Sequence, residues 1–146
     1  MKTNFTFPPM IEKDYVQRMI EALSKVLGEL LGLDPPVGLV HIDEAFSEYL
    51  KIDGEWLEDL PEESFLETLQ KEKRLNVGQL EFLAELLIRQ GLFCYEMNEF
   101  SKAKSKLNKA LIIFDFVEKE QALFSFERQD TLLKINNLLK EISLEK

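Results

Sequence analysis

Histidine occurs once in this 146-residue chain, as His41, and cysteine once, as Cys94. A single cysteine excludes an intrachain disulfide framework, and a single histidine cannot supply the paired Glu-x-x-His ligands of a di-iron bundle. A Ser/His/Asp or Cys/His arrangement would have to use His41, and nothing around it resembles a nucleophile elbow. No apolar run nears the roughly 18 residues that cross a bilayer, and MKTNFTFPPM lacks the apolar stretch of a secretory signal. The expected location is cytoplasmic. Basic charge is also short: 18 Lys and Arg against 27 Asp and Glu leave a formal net charge of −9, a poor footprint for nucleic acid or an anionic membrane. A Gly-rich phosphate loop, a metal-type cysteine pair and a calcium-loop pattern are all missing. No cofactor and no catalysis are expected.

What is present is 45% hydrophobic, with only six Gly and five Pro, and is dominated by Glu, Lys and Leu, which favour helix. No segment alternates apolar and polar residues as a strand does. The fold class expected is all-α, about six helices in one domain over residues 10–146, with residues 1–9 a tail without structural role.

From 13 to 33 the residues Val16, Met19, Leu23, Val26, Leu30 and Leu33 recur at steps of three and four, and Ile20 and Leu27 widen the stripe. Such a stripe seals an internal core, the favoured reading, or pairs with the same helix of another copy, which makes a homodimer the alternative. Asp34-Pro35-Pro36 stops this helix. Short helices are expected over 40–72: one from Ile42 to Leu50, ended by Asp53-Gly54, and one at about 62–72, opened by Pro61 and the acids Glu62 and Glu63. Asn76 with Gln79 three residues on approximates a capping box, so a long helix is expected from about 76 to Met97. Another follows from about Phe100 to Val117. The last, at about 120–143, carries Leu132, Ile135, Leu139 and Ile142 at helix spacing.

Antiparallel helices that meet closely need small residues at the contact, and Gly91 and Ala103 are candidates for it. With them, Leu87 fills a large apolar position, Asn98 opens a turn, and Phe100, Ala103, Leu107 and Ala110 fill the next helix. Residues 84–117 thereby resemble one tetratricopeptide repeat, a helical hairpin of about 34 residues. Cys94, Gln90 and Asp115 depart from its pattern, and Tyr95 lies one step beyond the usual aromatic. One repeat on, Phe124, Ser125 and Arg128 fall at the large, glycine and aromatic positions. The resemblance implies a non-catalytic module that holds a protein or peptide on the first helix of the hairpin, here Glu85, Ile88, Arg89, Leu92, Tyr95 and Glu96. Glu85 and Leu92 stand where relatives that clamp a C-terminal carboxylate carry Lys and Asn, so that clamp is not expected.

Residues 43–67 hold ten acids and only Lys51, so this segment carries the whole charge excess. It reads as a solvated face or an acidic docking surface, with Trp56 as its anchor. Lys102, Lys104, Lys106 and Lys109 read as solvation of an exposed arc. His41, Glu44 and Glu48 have ligand-like spacing on a helix, yet read as a polar face. Cys94, among apolar neighbours, reads as a small core residue. An enzyme with a site among the carboxylates remains the third reading of function.

Overall fold

A computed structural model describes residues 9–121 and 126–145, without the side chains of 9–14, 16, 120, 121, 126–128 and 145. Residues 1–8 and the side chain of Val16 therefore lie outside what is described, as do Phe124, Ser125 and the side chain of Arg128. The regular elements among the described residues are all helical, with no strand, in keeping with the all-α expectation. The helices are α1 (Pro9–Leu30), α2 (Pro35–Ala45), α3 (Gly54–Glu58), α4 (Phe65–Thr68), α5 (Val77–Glu96), α6 (Phe100–Gln121) and α7 (Phe126–Glu145).

Local chemistry explains most of the boundaries. Gly32, at φ 77°, turns the chain after α1, and Pro35 and Pro36 occupy the first turn of α2, where their missing N–H groups cost nothing. The prolines thus start a helix as well as ending one, and α2 begins ahead of the position expected at Ile42. It runs on as a wider turn, Phe46–Leu50, that closes at left-handed Lys51. Asp53-Gly54, expected to mark an end, opens α3 instead: the Asp53 carboxylate accepts the Trp56 backbone N–H at 3.0 Å. A short 3-10 turn, Glu62–Ser64, leads into α4, which widens over Leu69–Lys73 before left-handed Arg74.

The start of α5 has both halves of a capping box. Asn76 Oδ1 accepts the Gln79 N–H at 2.8 Å, and Gln79 Oε1 accepts the Asn76 N–H at 3.0 Å. Its end is a Schellman turn around left-handed Asn98, with the Glu99 N–H donating to the Cys94 carbonyl at 2.9 Å and the Asn98 N–H to Tyr95 at 3.0 Å. That turn reverses the chain into α6, and Tyr95 stacks edge-on against Phe100 across it, 5.4 Å between centroids.

α5 is the middle of the molecule and touches neighbours on several sides. Gly91 faces Ala103 and Leu107 of α6, and both of these are fully buried. A quarter-turn or more away, Phe93 meets Gly38 of α2, and Phe82 meets Tyr49 at 5.3 Å. α1 lies along a further side, its Val26 and Leu30 buried in the core. The core-facing reading of that helix holds, while Ile20 stays exposed. α7 packs on α6 through buried Ile135 and Ile142.

Candidate functional site

The C-terminal half of α5 leaves one side partly open. The turn after α1 rises beside it, and the two enclose a groove of about 340 Å³. Leu27, Leu31 and Leu33 form one wall, and Arg89, Leu92 and Glu96 of α5 form the other. Leu31 is 76% exposed on the lip, whereas Leu92 is half-buried on the floor. Residues 89, 92 and 96 are one and two turns apart, which is why a single helix face offers a cation, an apolar surface and an anion in that order.

The structure brings Arg89, Leu92 and Glu96 together here, and it separates the remaining residues assigned to binding. Ile88 is buried, with 9% exposure, and belongs to the core; its position on the wheel falls where α5 is already covered. Tyr95 donates to Glu141 of α7 at 3.3 Å, which draws it toward the last helix. Glu85 is half-buried and also engaged. Trp56 does not border the groove; it packs against the core under the ammonium of Lys73, 4.9 Å from its ring centroid.

A second polar constellation was hidden from the sequence. Lys106 and Lys109 do not solvate an exposed arc: both are buried, Lys109 with 3% exposure. Lys109 Nζ donates to the carbonyls of Leu57 at 3.4 Å and Glu58 at 3.1 Å. These carbonyls end α3, and Leu57 also accepts the Leu60 N–H at 3.3 Å, so the lysine shares in its C-terminal cap and supplies the donor to Glu58. Lys106 Nζ pairs with Glu58 at 3.2 Å, and Asn108 donates to Glu62 at 3.5 Å. Part of the acid-rich segment thus docks on the lysine face of α6. The signal available in the sequence was charge complementarity between 43–67 and 102–109, two stretches read separately.

Charge follows from this packing. Burial raises the Glu58 carboxyl, but Lys106, helped by Lys102 and Lys109, more than offsets it and holds the group below its ordinary value. Burial lifts the Asp43 carboxyl, opposed by Lys106 and reinforced by Glu58 and Asp53. The Lys109 ammonium is depressed by burial and by Lys106 beside it, against the pull of Glu62, Glu58 and Asp59. Gln90, in a position where the repeat pattern carries Leu, donates to Asp43 at 3.5 Å, while its own buried Oε1 finds no partner among the described residues. Cys94 is buried and unpaired; burial pushes its thiol up, away from the thiolate that reactivity requires.

His41 does not gather ligands. Its Nε2 contacts Glu29 of α1 at 2.7 Å, and its Nδ1 lies 3.7 Å from Glu44. The two carboxylates sit on opposite ring nitrogens and cannot share an ion with the imidazole. Among the described residues no group of three acid, histidine or cysteine side chains is arranged to hold a metal, and no helix is long and apolar enough to cross a membrane. No protein-family model, no curated protein and no solved structure matches this chain.

Proposed function

We propose that this chain is a non-catalytic protein-interaction module of tetratricopeptide type, acting in the cytoplasm and binding a protein segment in the groove beside α5. The observation that carries this reading is the open apolar trough between the α1 turn and α5, bordered by Arg89, Leu92 and Glu96. The repeat register of 84–117 assigns these three residues to the partner side. The trough suits an apolar side chain delivered by a partner, with an ion pair available at either end. Burial of Ile88, and the use of Tyr95 by α7, confine the binding face to the C-terminal half of α5.

The test is affinity capture from cell lysate with the wild-type chain, Leu92→Glu and Lys104→Glu. Lys104 is exposed on α6 and does not border the groove. The expected result is one or more proteins retained by wild type and Lys104→Glu and lost with Leu92→Glu. Equal recovery by all three would remove the groove from consideration.

A further inference from the structure

Two features of the groove belong together. Leu31 is a knob, 76% exposed, and the hole able to receive such a knob lies immediately beside it in the same patch. A surface carrying both a protrusion and its receptacle can be self-complementary about a two-fold axis, because the knob of each copy meets the hole of the other. Charge has the same symmetry. Arg89 and Glu96 stand seven residues apart, about 10 Å along one face of α5, with Leu92 between them. Neither forms an ion pair with another described residue. A second α5 laid antiparallel across the first, centred near Leu92, places each Arg89 opposite the other copy's Glu96. The apolar area does not stop at the groove. Ile20 of α1 is 53% exposed, and Leu27, half-buried against the core, and Leu31, one residue past the helix, follow it at steps of seven and four.

We propose that the partner in this groove is a second copy of the chain. The pair is antiparallel: Leu31 of each copy enters the trough of the other, and two Arg89–Glu96 pairs flank a contact between the Leu92 side chains. This inference rests on reading the groove as a protein-binding site and names its occupant. It uses Leu31 past the end of α1, while Val26 and Leu30 stay buried in the core. The formal charge of −9 per chain opposes association at long range, so the local cation at Arg89 sets the register.

The experiment is sedimentation of the full chain from about 10 µM to about 1 mM, for wild type, Arg89→Glu, Glu96→Arg and an equimolar mixture of the two variants. Helical circular dichroism and melting of each variant establish that it is folded. Wild type is expected to move from monomer to dimer mass. Each single variant faces two like-charge contacts and should dimerise at least about tenfold more weakly. The mixture restores both opposite-charge contacts, so a mixed dimer should return. Leu31→Lys, at a position exposed in the monomer, should also abolish dimerisation without loss of melting temperature.

A wild type that keeps monomer mass throughout overturns the proposal, and so does a dimer that every variant retains, or a mixture no better than its components. If wild type is monomeric while Leu92→Glu still loses a captured protein, the groove reading stands and only the identity of the occupant fails.

Discussion

Gly91 and Leu107 occupy one space. A methyl group in place of the Gly91 hydrogen would sit 2.8 Å from both Cγ and Cδ2 of Leu107, and 3.4 Å from the Ala103 carbonyl oxygen. Leu107 is fully buried and has little room to retreat. Gly91→Ala gains about 1 kcal/mol of helix propensity but overpacks a tight core, at about 1–3 kcal/mol. A net loss of up to about 2 kcal/mol is therefore expected in urea unfolding. Leu107→Ala alone should lose about 2–5 kcal/mol. In the double variant the new methyl fills part of the cavity, so the combined loss should fall short of the sum. Strict additivity would show that the two side chains do not compete.

The close approach at Gly91 and Ala103 was legible in the sequence, and the reason is range. The capping box at Asn76, the turn at Asn98 and the small residues at 91 and 103 are local or nearly local, so spacing alone exposes them. The lysines of α6 were illegible for the opposite reason. Lys106 and Lys109 meet Glu58 and the α3 carbonyls about fifty positions away in the chain, and their spacing on the helix matches that of a solvated arc. The groove fell between these cases. The repeat resemblance placed Leu92 and Glu96 on the partner side with Arg89 near them, but which turn of that side α1 and α7 leave open depends on tertiary packing.

Lys109→Met tests the cap on α3. Methionine fills a similar volume and removes the cost of burying an ammonium, which limits the damage. It also leaves the Glu58 carbonyl without its donor and the Leu57 carbonyl with the Leu60 N–H alone. A loss of about 1–3 kcal/mol is expected. Hydrogen exchange should locate it, because the Leu57 and Asp59 amides, which close α3 onto Asp53 and Glu55, should lose protection before those of α5. Unaltered protection in α3 would mean that the lysine is merely accommodated there.

Acid stability carries the signature of the same cluster. Glu58 titrates below its ordinary 4.5 when folded. Between the two values the unfolded chain holds a proton that the folded chain lacks, so stability rises with pH across that window. Its contribution is complete above about 4.5 and is lost as pH falls through the folded value. Asp43, raised above 3.8, acts oppositely: the folded chain holds the extra proton, so its contribution weakens as pH rises. Glu58→Gln should flatten the acid limb of a melting-temperature profile, and Asp43→Asn should steepen it. Parallel curves for both variants would place the acid sensitivity elsewhere.

Gly38 couples the core to the groove. It faces the ring of Phe93 so closely that a Cβ would overlap the ring edge, and Phe93 also lines the trough beside Leu92. Gly38→Ala must therefore displace a buried ring, and the open side of that ring is the groove. The helix-propensity gain of about 1 kcal/mol offsets only part of an overpacking cost of about 1–3 kcal/mol. Melting temperature should fall modestly, and dimer formation should weaken more than stability does, because the displaced ring occupies space meant for the partner's Leu31. Gly38→Ala with Phe93→Leu supplies room for the new methyl and should recover the melting temperature. If Gly38→Ala lowers stability yet leaves self-association untouched, the ring has moved away from the trough, and the link from α2 through Phe93 to the binding face is broken.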